Sequence, residues 1–183
     1  ESSGQGEVIM SYEESYGYML GDYVRDKDAV TASMLLTEMA AWYAAQGMTL
    51  FDALNALYEK YGYYAEKTHN LVMPGLDGLR DMAELMRRLK DEPPTEIAGT
   101  EVVVRKDYND GTVHDCRTGA VTKMELSGSN VLRFELSDGT TILARPSGTE
   151  PKIKVYILAR GKDAADAAAN VEKYGAWAEA LKG

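Results

Sequence analysis

One cysteine, two histidines, five prolines and two phenylalanines are all that the 183 residues hold of those types. Each scarcity closes off a class of protein. A single Cys116 excludes an internal disulfide, and Cys116 with His69 and His114 cannot complete a Cys/His zinc site without carboxylates or a second chain. No apolar run approaches the length of a membrane span, and the opening "ESSGQGEVIM" has neither the basic end nor the apolar stretch of a signal peptide. Positive charge is scarce as well. With 20 Lys and Arg against 29 Asp and Glu, the net charge of −9 argues against a surface laid along nucleic-acid phosphates or anionic lipid. The expected setting is cytoplasmic, with no nucleic-acid or membrane partner. The start also lacks a methionine and reads as an excised piece.

What is present is enough for a real core: 45% of the residues are hydrophobic and 27% charged, in a length that suits one domain or two small ones. "EVIMSYEESYGYM" has the β-branched and aromatic content of strand and runs into "LGDYVRDKDAV", where Asp28 is placed to cap a helix reaching about Gln46, closed by Gly47. Thr49 and Asp52 have capping-box spacing and open a second helix, "LFDALNALYEKY", that stops at Gly62. After "YYAEKTHNLVMPG", the positions Leu79, Met82, Ala83, Met86 and Leu89 recur at helical spacing until Pro93-Pro94. A different texture follows. "GTEVVVRKDY", "VTKMELS", "NVLRFELSDGTTILAR" and "KIKVYILARG" are strand candidates, with Asp138-Gly139 a two-residue hairpin turn. The Ala-rich "KDAADAAANVEKYGAWAEALK" is predicted helical, with Gly175 a weak point inside it. The fold class expected is α+β: a C-terminal antiparallel sheet with flanking helices over 64–183, preceded by a helical segment over 1–63 that has little sheet to cover it.

One turn stands out in so acidic a chain. "ARPSGTEPKIKVYI" is two strands joined by a short turn, with Ile153, Val155 and Ile157 on one face and Lys152, Lys154, Tyr156 and Leu158 on the other. Gly148 permits positive φ, successive N–H groups there can form an anion nest beside the Ser147 and Thr149 hydroxyls, and Arg145 and Lys154 add a planar fork and a point charge. Spacing alone leaves a phosphate cradle and an ordinary hairpin tip with solvated charges equally open.

"RPSGTEPKIKVYI" closely resembles the phosphate-binding loop of the α-D-phosphohexomutases, the phosphoglucomutase and phosphomannomutase superfamily. "YEESYGYMLGDYVRDKDAV" is similar to the same superfamily's sugar-recognition loop, and the order and separation of the two blocks agree. The likeness runs over essentially the whole chain and is nearest to bacterial phosphoglucomutases. It implies that 1–63 is the end of the third, sugar-recognition domain, a remnant of an α/β domain, and 64–183 the fourth, phosphate-binding domain. It assigns phosphate contact to Arg145, Ser147, Gly148, Thr149 and Lys154, and sugar contact to Glu13, Ser15 and Lys27. In an extended segment Glu13 and Ser15 point one way and Glu14 the other, and a carboxylate beside a hydroxyl suits vicinal sugar hydroxyls. Lys27 stands just before the helix start, where the helix dipole adds to its charge.

The resemblance also implies a phosphoserine loop and a metal-binding loop, "T-x-S-H-N-P"-like and "D-G-D-x-D-R"-like, and neither occurs here. The expected parent is an intramolecular phosphotransferase using Mg2+ and glucose 1,6-bisphosphate, with the phosphosugar and the missing N-terminal domains as partners. This piece is then expected to lack catalytic residues, metal and cofactor of its own, and turnover. A self-sufficient, non-catalytic phospholigand-binding or protein-interaction module is the alternative. Other motifs lead less far. Glu13 and Glu14 face opposite ways and cannot flank a glycosidic bond. "DYNDG" has its glycine one place too early for a calcium loop and suits a hairpin turn. "HDC" at His114 to Cys116 has no ligand-spaced partner. "KYGYY" and Trp42-Tyr43 fit packing surface better than a stacking platform, since no basic groove accompanies them.

Overall fold

The computed structural model of the chain describes residues 6–13 and 16–182. It divides into two units, Glu1–Lys60 and Tyr61–Gly183. Among the described residues, no helix is long and apolar enough to cross a membrane.

In the first unit, β1 (Met10–Tyr12) and β2 (Tyr18–Leu20) form an antiparallel hairpin with Tyr12 opposite Tyr18. Helix α1 (Ala29–Ala44) begins at Asp28, whose carboxylate accepts from the Val30 N–H at 2.9 Å and the Thr31 hydroxyl at 3.1 Å. That cap satisfies a donor the first helical turn leaves open. Helix α2 (Leu50–Tyr61) begins with the expected box: Asp52 N–H donates to Thr49 Oγ1 at 3.1 Å, and Thr49 N–H to the Asp52 carboxylate at 2.8 Å. No residue of α1 is buried, and Leu36, Met39 and Trp42 are exposed.

The second unit is one antiparallel sheet with helices on a single face. Its strands are β3 (Tyr63–Val72), β4 (Glu96–Ile97), β5 (Thr100–Asp107), β6 (Thr112–Asp115), β7 (Val121–Lys123), β8 (Leu132–Leu136), β9 (Thr141–Pro146) and β10 (Lys152–Gly161). They run in the order β3-β10-β9-β8-β5-β6-β7, with β4 paired to β5. Helix α3 (Gly78–Asp91) packs on β9 and β10, and α4 (Ala164–Ala180) on β3 and β10. Between helices and sheet, Ile153, Val155, Ile157, Ile142 and Phe134 are buried, each side chain contributing roughly 1.5–3 kcal/mol through removal from water. The predicted alternation along β10 is borne out.

Three expectations change. Residues 63–72, left without a strand, form β3, which pairs with β10 from Gly161↔Tyr63 to Lys152↔Val72. Polar Glu66, Lys67, Thr68 and Asn70 hide its period, because one face of an edge strand is exposed and the other meets only α4. In α3 the buried row is Leu85, Met86 and Leu89 with Met82 beside it, whereas Leu79 and Ala83 are exposed. Gly175 is buried and functions as a point of close approach: a Cβ there would lie 2.7 Å from His69 Nε2. The "DYNDG" stretch is the β5–β6 hairpin turn.

Candidate functional site

The turn between β9 and β10 stands on a rigid base. Arg145 and Lys154 are cross-strand partners, as are Pro146 and Ile153, so the two cations share the open face of the sheet while Ile153 is sealed beneath α3. Arg145 is exposed and Lys154 half-buried. Among the described residues neither makes an ion pair, although Lys152 is held by Glu150. Lys152 in turn pulls the Glu150 carboxyl below its usual range, mainly through their hydrogen bond.

Local bonds fix the turn. Ser147 N–H donates to the Lys152 carbonyl at 2.8 Å, and Lys152 N–H to the Glu150 carbonyl at 2.8 Å. Thr149 and Glu150 N–H both lean on Ser147 Oγ, at 3.4 and 3.3 Å. These are long, weak bonds, replaceable by a stronger acceptor such as a phosphate oxygen. Gly148 is not in the left-handed region, contrary to the reason given for it; open space surrounds its Cα, so a ligand can approach the backbone there.

Support from outside the turn escaped sequence reasoning. Met73 N–H, just past β3, donates to the Pro151 carbonyl at 2.8 Å. A Cβ at Gly78 would lie 2.1 Å from the Met73 carbonyl oxygen and 3.1 Å from Pro151 Cβ, so the start of α3 is drawn against the far side of the turn. The glycine was visible in the sequence, but its neighbours become so only once β3 is recognised.

The second candidate site lies in the first unit. Glu13 follows β1, and its N–H donates to the Gly17 carbonyl at 2.8 Å, closing the hairpin loop. Ser15 and Glu14 lie outside the described residues. Tyr16 takes φ +68°, a left-handed conformation that costs a non-glycine residue about 1–2 kcal/mol. Lys27 Nζ stands 3.3 Å from Glu13 Oε1 and 3.4 Å from Asp26 Oδ1. Its hydrogen bonds to Glu13 and then Asp26 raise its pKa. Ser11, Tyr12, Gly17, Met19 and Arg25 complete a cavity of about 200 Å³ around this pair. Glu13 and Lys27 are thus brought together. The residues expected to contact phosphate belong to the other unit, where Arg145, Ser147, Gly148, Thr149 and Lys154 share one hairpin end. Among the described residues, no group of three or more His, Cys, Asp or Glu is arranged to hold a metal ion.

Along the chain, a carboxylate–lysine loop thus precedes an antiparallel sheet that ends in a two-cation turn. Residues 82–173 match the family model for the phosphoglucomutase/phosphomannomutase C-terminal domain, and residues 2–61 that for its alpha/beta/alpha domain III. The chain belongs to the phosphoglucomutase/phosphomannomutase family. It is 34% identical over 164 residues to a phosphoglucomutase of Staphylococcus aureus (strain N315), covering 90% of this chain and 30% of that protein. A phosphoglucomutase of Staphylococcus epidermidis is 34% identical over 155 residues, 85% of this chain and 28% of its own length. The chain thus spans about 30% of the curated relatives it matches. The fold is shared with the open form of the exocytosis-sensitive phosphoprotein pp63/parafusin, a Paramecium phosphoglucomutase, at a TM-score of 0.60 and 19% identity over 94% of this chain and 30% of that one.

Proposed function

We propose that this chain supplies the sugar clamp and the non-reacting-phosphate clamp of a phosphoglucomutase-like enzyme that interconverts glucose 1-phosphate and glucose 6-phosphate. The observation that carries the reading is the pairing of Arg145 with Lys154 across β9 and β10, both without an ion-pair partner among the described residues, beside a turn with open backbone. Two cations side by side repel, Glu150 offsets only part of the charge on Lys154, and a dianionic phosphate relieves the repulsion. Arg145 provides a fork for two phosphate oxygens, Lys154 a point charge, and Ser147 and Thr149 hydroxyls with the Gly148 to Glu150 backbone the remaining donors. None of these groups is a nucleophile at neutral pH. That suits a clamp which holds whichever phosphate is not reacting while a bisphosphorylated sugar reorients.

Glu13 accepts from two neighbouring sugar hydroxyls, Ser15 adds a donor and acceptor, and Lys27 fixes the carboxylate from the other side. Phosphoryl exchange belongs to the parent enzyme, with magnesium and glucose 1,6-bisphosphate held outside this segment; magnesium there neutralises charge on the transferring group. The chain alone, given both, is expected to show no turnover. The deciding experiment assays the full-length parent on glucose, mannose and pentose phosphates. Glucose 1-phosphate should be the best substrate, and Arg145→Ala should lower kcat/KM. A parent inactive on every sugar phosphate, or unaffected by Arg145→Ala, overturns the reading.

A further inference from the structure

We propose that Gly17 is a positioning residue for the sugar clamp, acting through Lys27. A Cβ on Gly17 would fall 2.2 Å from Lys27 Cδ, 2.7 Å from Lys27 Cγ and 3.0 Å from Glu13 Oε2. The first two distances are well inside van der Waals contact, so the lysine stem lies directly across the glycine. Conformation does not demand glycine here, because Gly17 is outside the left-handed region that its neighbour Tyr16 occupies. What demands it is the space taken by Lys27. The same crossing explains why Gly17 is buried although its described loop neighbours Glu13 and Tyr16 are exposed.

The arrangement routes the Lys27 stem across Gly17 while its ammonium stays exposed. Lys27 enters from the residue before the Asp28 cap, crosses the β1–β2 loop over Gly17, and delivers Nζ to 3.3 Å from Glu13 Oε1. The loop is clamped beneath it by the Glu13 N–H bond to the Gly17 carbonyl. A Cβ at 17 obliges the lysine stem to shift, and in the proposed positioning role this shift moves the ammonium away from the carboxylate it orients. A lysine already placed before the ligand arrives loses less freedom on binding, and with Oε1 held by Lys27, Glu13 turns Oε2 to the other side.

The inference rests on the reading of Glu13 and Lys27 as sugar-facing, and two measurements separate its failure from that reading's. In this chain, nuclear Overhauser contacts should join the Gly17 Hα protons to the Lys27 γ and δ methylenes. Their absence overturns the positioning role whatever the sugar site does. In the full-length parent, Gly17→Ala should lower kcat/KM for glucose 1-phosphate by about ten- to a hundredfold, the scale of a small misplacement. In a Lys27→Ala background, where no stem remains to displace, adding Gly17→Ala should produce no further loss. Equal losses in both backgrounds make Gly17 merely structural and refute the proposal. If the contacts are present but Lys27→Ala leaves kcat/KM unchanged, the sugar-facing reading is wrong and the positioning role falls with it.

Discussion

Replacing Arg145 with alanine separates binding from stability more cleanly than any other change in the chain. The side chain is exposed, makes no ion pair among the described residues, and projects from the face of β9 opposite the buried Ala144 and Ile142. Its removal should therefore leave stability within about 0.5 kcal/mol, the usual range for surface substitutions. Binding should respond differently. A charge-assisted hydrogen bond to phosphate contributes roughly 1.5–3 kcal/mol, a loss of about ten- to 150-fold in affinity. Lys152→Ala is the internal control: Lys152 is already engaged by Glu150, so its loss should weaken phosphate binding by much less. The assay is a titration of the isolated chain with inorganic phosphate and with glucose 6-phosphate, followed by amide chemical shifts at 0.15 M salt. There the Debye length of about 8 Å screens remote charges, and a net charge of −9 offers no general attraction for anions. Shifts should centre on residues 145–149 and vanish in Arg145→Ala. Equal affinity in the variant, or shifts scattered over surface lysines, would refute the clamp.

Three further outcomes follow from the packing. Tyr174 is fully buried, with its hydroxyl donating to Asp138 and lying 2.9 Å from Thr100 Oγ1; Tyr174→Phe should lower unfolding free energy by about 1–3 kcal/mol in urea, and an unchanged midpoint would count against the network. Burial and then the Asp138 bond push the Tyr174 pKa up to about 12, so its contribution is full below the unfolded value of about 10 and lost as pH rises from about 10 through 12. Tyr174→Phe should remove that part of the alkaline loss, measured by urea unfolding between pH 9 and 12. Gly175→Ala should destabilise by about 1–3 kcal/mol despite alanine's better helix propensity, because the new Cβ meets His69, and His69→Ala should restore part of it. Limited proteolysis followed by mass spectrometry should leave a core beginning near Tyr63, where β3 joins the sheet. The first unit, with Leu36, Met39 and Trp42 lining an apolar cavity of about 690 Å³, should be cut first or self-associate; equal resistance of the two units in a monomer would refute this.

Legibility in the sequence tracked the range of the interactions involved. Asp28, the Thr49–Asp52 box and the alternation of Ile153, Val155 and Ile157 are each decided within about five residues, and each stands in the structure as read, whereas the Asp138-Gly139 hairpin is longer than the two-residue turn expected: Leu136 N–H meets the Thr140 carbonyl at 2.8 Å around Ser137, Asp138 and Gly139. The missed strand β3 has no such local signature: its burial depends on β10 and α4, some ninety residues away along the chain. Without β3, its share in supporting the β9–β10 turn is hidden too, because the Met73 bond to Pro151 and the fit of Gly78 against both are long-range contacts. The candidate-site residues came from resemblance to a family motif, and their geometry adds what a motif cannot hold. A motif records Lys27 and Glu13 as letters fourteen positions apart; the 3.3 Å between them, and the lysine stem lying across Gly17, a residue to which sequence reasoning assigned no role, appear only in the structure. In the same way "PSGT" suggested a glycine needed for its backbone angle, whereas Gly148 holds an ordinary angle and matters for the space around it. Both glycines matter by what they omit, a side chain that at Gly17 would meet a lysine stem and at Gly148 would fill open space, and omission leaves its trace in distances between residues that sequence order keeps apart.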